Sequence, residues 1–201
     1  MSEITRNYAT LFDHRYAPRG IVLYQTLMQH SSVPFNLHVL CLTKEARRIM
    51  EKLSFSNVII YDLESKILPL NDLTKARSNR TWQEFCWTVN SVFCAALINA
   101  GYQEITSLDA DMFFLSDPEV IFKEIKVASI AIIPHRFIPE KQQLEANGKF
   151  NVSWVTFRDT PRGKECVNTW AKQCLDWCYY TVEKDRFADQ KYLDKWPGKY
   201  G

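Results

Sequence analysis

Apolar positions along the chain fall into two alternating rhythms, short continuous runs and recurrences every three or four residues. Residues 8–12 form a first run that ends in Asp13-His14-Arg15-Tyr16. Pro18-Arg19-Gly20 then opens a helical stretch to about His30, in which Ile21, Leu23, Tyr24, Leu27 and Met28 make a broad apolar surface. In residues 37–42 Leu37, Val39 and Cys41 alternate with His38, Leu40 and Leu42, the pattern of a strand covered on both faces. Thr43 can cap a short helix carrying Ile49, Met50 and Leu53, and residues 58–61 make a third buried strand. This β-α-β-α-β alternation predicts an α/β domain with a mostly parallel sheet.

Residues 64–80 are polar and read as a crossing segment, with Arg77 and Arg80 near its end. Thr81-Trp82-Gln83-Glu84 fits a capping box. Behind it Trp82, Phe85, Cys86, Val89, Phe93, Ala96 and Leu97 recur at helical spacing until Gly101 stops the helix. A short strand over 104–108 follows, and then Asp117-Pro118, a good N-cap and N1 pair for a helix through Ile125. Residues 127–133 read as a strand ending in Pro134-His135-Arg136, 140–149 as a loop or short helix, and 150–157 as a strand. Thr160-Pro161 caps a helix with Val167, Trp170, Ala171, Cys174, Leu175 and Cys178 on one face, and 186–193 reads as a last short helix. No repeat, low-complexity tract or linker interrupts the pattern, so residues 1–201 are expected to form a single domain.

Composition narrows the function only coarsely. The 201 residues are 46% hydrophobic and 24% charged, values of an ordinary globular protein. A net charge of +2 implies no special affinity for nucleic acid or anionic lipid. The polar start Met1-Ser-Glu-Ile-Thr-Arg and the absence of a ~20-residue apolar run give the expectation of a cytoplasmic protein without a membrane span. Six cysteines without a Cys-x-x-Cys pair read as buried thiols. Trp154, Trp170, Trp177 and Trp196 could stack on carbohydrate, at spacings that equally suit packing.

The candidate chemistry centres on Ser107-Leu108-Asp109-Ala110-Asp111-Met112-Phe113. In an extended backbone residues i and i+2 share a side, so Asp109 and Asp111 would offer oxygens to one point. Two converging carboxylates among apolar residues repel each other and lose water, at a cost of several kcal/mol unless a cation lies between them. A hard dication that keeps positions open for phosphate oxygens answers that cost. The motif follows a strand, where open α/β sheets bind their ligands.

With these residues in view, the sequence resembles the nucleotide-sugar glycosyltransferases of the GT-A fold, nearest the glycogenin and bacterial lipopolysaccharide galactosyltransferase group. Asp13-x-x-Tyr16 stands where that group holds the nucleoside. Leu108-Asp109-Ala110-Asp111 with Asp117-Pro118 looks like its metal motif, and Asp189-Gln190 before Tyr192-Leu193 is similar to its late Asp-Gln element near the donor sugar. Asn151-Val152-Ser153 is a weaker match to its Asn-Ala-Gly. The resemblance implies a GT-A fold and metal-dependent hexose transfer from a nucleoside diphosphate sugar, with a UDP-sugar the expected donor. A glycan or lipopolysaccharide hydroxyl would be the acceptor, and the anomeric configuration would be retained.

The same resemblance implies Mn²⁺ or Mg²⁺ on Asp109 and Asp111, donor contacts from Asp13, Tyr16, Arg77, Asp109, Asp111 and Asn151, and catalytic roles for Asp189 and Gln190. Two departures stand out. The group's third metal ligand is a histidine in a later His-Gly segment, which does not appear before Gly201; a longer chain, or His14 or His135, would have to supply it. The helical arginine of the group is replaced in Phe85-Cys86-Trp87-Thr88, so Arg77 or Arg80 would serve the phosphates. A non-catalytic nucleotide-sugar-binding or assembly protein is the alternative. A haloacid-dehalogenase-like phosphatase also uses Asp-x-Asp after a strand, but Met112-Phe113 in mid-chain departs from its pattern.

Overall fold

The computed structural model describes residues 4–200; residues 1–3, part of the polar start, and 201 lie outside it. Four strands run parallel: β1 (Arg6–Phe12), β2 (Phe35–Cys41), β3 (Val58–Asp62) and β4 (Glu104–Leu108). β6 (Phe150–Arg158) pairs antiparallel with β4 and with the edge strand β5 (Ile130–Pro134). The sheet order is β3-β2-β1-β4-β6-β5, so the chain builds outward from β1 and then crosses back to lay β4 on its other side. The point between β1 and β4 where the direction of winding reverses leaves a crevice beyond their carboxyl ends.

Helices cover both faces. α1 (Ala17–His30), α2 (Lys44–Leu53) and α5 (Glu119–Ile125) pack Leu23, Leu27, Met50 and Phe122 against Leu37, Val39 and Trp154. On the opposite face α3 (Leu70–Ser78), α4 (Trp82–Asn99), α6 (Pro161–Asp176) and α7 (Trp196–Tyr200) bring Leu73, Phe93, Leu97, Trp170 and Trp196 against Leu40, Ile105 and Phe157. The alternating sets of β2 thus go to two separate cores, which is why both had to be apolar. Trp154, Trp170 and Trp196 are buried in these cores, and Trp177 lies under the Arg186 guanidinium at 4.5 Å, so this set is packing.

Local chemistry fixes the ends of the elements. Thr43 Oγ1 accepts from Ala46 N at 3.2 Å, and Thr160 Oγ1 from Gly163 N at 3.0 Å. The capping box at α4 is complete: Glu84 N donates to Thr81 Oγ1 at 3.3 Å and Thr81 N to Glu84 Oε2 at 2.9 Å. α5 starts one residue later than the spacing predicts: Pro118 takes the N-cap position, and Asp117 just before it accepts from Glu119 N at 3.0 Å. The polar stretch 64–80 contains α3, whose Leu73 and Ala76 alone are buried, too few apolar positions to declare a helix. β5 starts at Ile130 because Val127 is 90% exposed. The last helix expected over 186–193 is not formed there: 186–190 are irregular, a 3₁₀ turn covers Lys191–Lys195, and α7 follows it. All six cysteines are free and five are buried. No helix among the described residues is long and apolar enough to cross a membrane.

Two positions show what holds this frame. Gly163, in the first turn of α6, approaches the end of β6 so closely that a Cβ there would lie 2.0 Å from the Arg158 carbonyl oxygen. His38 is fully buried on β2, with Nε2 3.2 Å from Asn7 Oδ1 and Nδ1 3.2 Å from the Tyr61 hydroxyl. The carbonyl oxygen can only accept, so the neutral ring carries its proton on Nε2 and accepts from Tyr61 at Nδ1. Burial pulls the imidazole pKa down to about 4.

Gly163→Ala is expected to lower stability by about 2–3 kcal/mol in urea unfolding, against the small gain that alanine brings to a free helix. An unchanged midpoint would show that α6 can move off β6. Below about pH 6.5 the unfolded chain protonates His38 and the native chain does not, so stability falls as pH drops from ~6.5 through about 4. His38→Gln should flatten that part of the stability–pH curve, which otherwise carries up to ~3 kcal/mol. Parallel curves for the two proteins would remove His38 as the cause.

Candidate functional site

The carboxyl ends of β1 and β4 open into a cleft of about 710 Å³. Its walls come from stretches far apart in sequence. The loop after β1 gives Asp13, Arg15 and Tyr16, and α4 gives Trp82, Gln83, Cys86, Trp87 and Asn90. The turn after β4 gives Asp109 and Asp111, and the far rim carries His135, Asn151 and residues 187–190. The α4 positions are spaced i, i+1, i+4, i+5 and i+8, one stripe of a helix whose opposite side is core.

Asp109 and Asp111 reach this cleft by a turn, not by extended backbone. β4 ends at Leu108, Asp109 N donates to Ser153 O at 3.2 Å, and Met112 N returns to Asp109 O at 3.2 Å. Ala110 and Phe114 point into the core and anchor the turn, so the two carboxylates on either side of Ala110 face the cleft. Asp109 is open to water in the cleft, yet protein surrounds that water on several sides. This partial desolvation, and then the neighbouring charge of Asp111, raises its pKa to about 6.

Asp189 completes an acidic group. It is 2% exposed, and burial followed by the charge of Asp109 raises its pKa to about 8. Asn90, beside it on α4, favours its ionised form and itself accepts from Ser107 Oγ of β4 at 2.9 Å. Trp170 Nε1 donates to the Asp189 carbonyl at 2.8 Å, yet Asp189 Oδ2 has no hydrogen-bond partner. The preceding Ala188 has φ 46°, a left-handed conformation that costs a non-glycine residue on the order of 1 kcal/mol. A buried, unpaired carboxylate oxygen and a strained residue together mark a place built for something other than stability.

The nucleoside-side candidates divide. Asp13 is buried, and both its oxygens already take protein donors: Arg15 N and Tyr16 N on Oδ1, the Arg15 guanidinium and Trp82 Nε1 on Oδ2. Burial pushes its pKa up, but these bonds outweigh it and hold the carboxyl below its usual value. Asp13 therefore orders the loop that presents Arg15 and Tyr16. The Tyr16 ring is 46% exposed, with the Arg19 guanidinium 4.5 Å from its centroid. Arg77 lies outside the lining, its guanidinium 4.9 Å from the Trp82 ring centroid. Arg80 is buried between Thr88 Oγ1 (2.8 Å) and the Leu175 carbonyl (2.6 Å), where it closes the end of α6.

On the far rim, Asn151 Oδ1 accepts from Ser153 N at 2.6 Å, and its Nδ2 lies 3.5 Å from His135 Nδ1. The His135 ring stacks on Phe137 at 4.6 Å, and its Nε2 is buried without a hydrogen-bond partner. Gln190 is held by the Asn147 carbonyl at 3.0 Å. His14 stands apart, exposed and within 3.4 Å of Thr43 Oγ1. Among the described residues no group of three or more His, Cys, Asp or Glu side chains is placed to hold a metal ion. The pair Asp109–Asp111 nevertheless suits a hard cation: two mutually repelling oxygen donors facing an open cleft, with the remaining positions left to a ligand and water.

Arg15, Gln83, Trp87 and Asn90 are cleft residues that the sequence reading did not single out. Gln83 and Asn90 carried the available signal, polar positions seven apart on a helix otherwise rich in apolar residues. Arg15 is the only lysine or arginine among the lining residues, against Asp13, Asp109, Asp111 and Asp189.

No protein-family model matches the chain. It is 28% identical over 201 residues to an uncharacterized protein, YfnD, of Bacillus subtilis, covering 98% of this chain and 64% of that protein. Among solved structures it superposes on mouse xyloside xylosyltransferase 1 with a TM-score of 0.60 and 14% identity, over 95% of this chain and 81% of that one. It also superposes on the galactosyltransferase LgtC, solved with donor and acceptor sugar analogs, with a TM-score of 0.63 and 13% identity, over 94% and 69% of the two chains. At these identities the likeness speaks for architecture, and the strand order and crevice described above agree with it: the chain has the GT-A glycosyltransferase fold.

Proposed function

We propose that this protein is a glycosyltransferase that binds a nucleoside diphosphate sugar, with UDP the expected nucleotide, and moves its hexose to a hydroxyl of a glycan or other acceptor. The observation that carries the reading is the acidic cleft at the β1/β4 crossover, where burial and the charge of Asp111 raise the cost of ionising Asp109 in the absence of a counter-charge. The glycosyl-transfer class is supported by the fold shared with the xylosyltransferase and the galactosyltransferase.

In this reading Asp109 and Asp111 would hold Mn²⁺ or Mg²⁺. When bound, the cation neutralises the charge that gathers on the departing diphosphate, as a Lewis acid does. Arg15, fixed in place by Asp13, adds a positive charge on the nucleotide side, and the exposed face of Tyr16 packs on the base. Asn151, Gln190 and Asp189 face the donor sugar from the opposite rim. The unpaired Asp189 Oδ2 is free to take a sugar hydroxyl or to meet positive charge developing at the anomeric carbon. Burial and the charge of Asp109 favour the protonated form of Asp189, and a counter-charge beside Asp109 favours its ionised form.

A second reading is a nucleotide-sugar-binding protein that does not turn its ligand over, since among the described residues Asp109 and Asp111 have no third metal-ligating side chain beside them. Isothermal titration with UDP, with and without Mn²⁺, tests the shared part of both readings. Metal-dependent binding is expected, weakened by about 100-fold in Asp109→Ala/Asp111→Ala, the size of one or two lost charge-assisted contacts. Equal metal-dependent binding by both proteins would remove the metal assignment. Hydrolysis of a UDP-hexose by the wild type but not by Asp189→Asn would then favour the enzyme over the binding protein.

A further inference from the structure

Residues 177–190, between α6 and the last 3₁₀ turn, form neither helix nor strand, yet they deliver Asp189 to the cleft. A segment without a ladder needs partners elsewhere for its backbone groups. It finds them at the start of α4. The Arg80 guanidinium, which closes the end of α6, also lies 5.3 Å from the Tyr179 ring centroid. Glu84 Oε1 accepts from Tyr180 N at 2.8 Å, and one residue earlier Tyr179 O accepts from Ala188 N at 3.1 Å. That second bond brings the two ends of residues 179–188 together as the neck of a loop. Ala188, held there in its left-handed conformation, is the residue immediately before Asp189.

Glu84 does more here than a helix cap requires. A capping box is served by glutamate or glutamine, since one side-chain oxygen meets the N-cap N–H. In this box Glu84 Oε2 takes Thr81 N at 2.9 Å and Thr81 Oγ1 at 2.8 Å, which leaves Oε1 to Tyr180. A carboxylate brings an acceptor to each of the two N–H groups, whereas an amide would turn its NH₂ toward one of them. Burial opposes the charge of Glu84, but the Tyr180 N–H, the Thr81 donors and Arg80 outweigh it and hold the carboxyl below its usual range. Glu84 is buried and stands outside the cleft lining, to which its neighbours Gln83, Cys86 and Trp87 belong. It therefore reaches the site through backbone and touches no ligand.

We propose that Glu84 is a positioning residue for Asp189: its second carboxylate oxygen grips Tyr180 N, and the Tyr179–Ala188 bond carries that grip to the neck from which Asp189 enters the cleft. The inference rests on the glycosyl-transfer reading for the role of Asp189 and adds the residue that holds it in place. The test compares Glu84→Ala with Thr81→Ala in the full chain. Glu84→Ala removes the grip and keeps the bond from the backbone N–H at position 84 to Thr81 Oγ1. Thr81→Ala removes that cap and keeps both Glu84 oxygens. Two readouts are taken. One is the Trp170 indole N–H resonance without ligand, which reports the bond to the Asp189 carbonyl. The other is steady-state hydrolysis of UDP-glucose and UDP-galactose with Mn²⁺.

In Glu84→Ala the indole resonance is expected to shift and to exchange faster with solvent. Its kcat is expected to fall roughly 10- to 100-fold, with the Kd for UDP within about twofold of wild type. Thr81→Ala is expected to keep the wild-type resonance and kcat. Should Glu84→Ala fail to fold by circular dichroism, Tyr180→Pro, which deletes the same bond from the loop side, is read against Tyr180→Ala, which keeps it. An unmoved indole resonance in Glu84→Ala, or equal losses of kcat in Glu84→Ala and Thr81→Ala, would leave Glu84 a helix cap and overturn the inference. A fall in UDP affinity larger than the fall in kcat would place Glu84 on the nucleotide side and overturn it as well. Absence of UDP binding to the wild type defeats the glycosyl-transfer reading instead. The indole comparison then decides alone: a moved resonance supports the hold on Asp189, and an unmoved one overturns it.

Discussion

Like charge held in a walled crevice is the constraint on which this structure turns. Asp109 and Asp111 flank a buried alanine at the end of β4, and Asp189 stands against them from the other rim with one oxygen unpaired. The charge of Asp111 raises the cost of ionising Asp109, and that of Asp109 the cost of ionising Asp189, while the one arginine in the lining is already bonded to Asp13. Stability alone would favour asparagine or an apolar residue at such positions. A cation with a phosphate ligand turns the same arrangement from a cost into a binding site.

The rest of the fold serves to fix that crevice. The crossover between β1 and β4 opens it, and the Arg6 guanidinium, bonded to Glu119 at 2.7 Å and Glu104 at 2.9 Å, ties β1, β4 and α5 together at the opposite end of the sheet. Arg158 joins the same Glu104 at 2.7 Å and adds β6. These partly buried ion pairs form a network, the arrangement in which such pairs hold geometry rather than merely decorate a surface. Asp13 does the equivalent work at the crevice, where it closes the loop after β1 and turns Trp82 toward it. Its carboxylate is thus a positioning group, with direct contact to a nucleoside requiring one of its present donors to let go.

Much of this was legible in the residues. The two-sided strand at 37–42, the capping box at Thr81 and the Thr160-Pro161 helix start are short-range signals, and each appears as its chemistry dictates. Asp109 and Asp111 face one cleft, but the reason is a turn anchored by Ala110 and Phe114, which alternation in an extended chain does not describe. What the sequence left hidden depends on three-dimensional neighbours. α3 has too few buried positions to announce itself, Arg80 looks like any solvated arginine until α6 lies beside it, and Trp87 shares one cleft with Phe187, about a hundred residues later in the chain. Trp154, Trp170 and Trp196 went into the cores, while Trp82 and Cys86, read at helical spacing with Phe85 and Val89, line the cleft instead.

The most direct measurement of the central claim is a crystal structure of the chain with UDP and Mn²⁺, with anomalous scattering recorded near the manganese absorption edge. The account predicts one anomalous peak within coordinating distance of both Asp109 and Asp111, bridged to the diphosphate, with the base beside Tyr16. A nucleotide bound with no such peak, or a peak held by other side chains while Asp109 and Asp111 remain solvated, would contradict it.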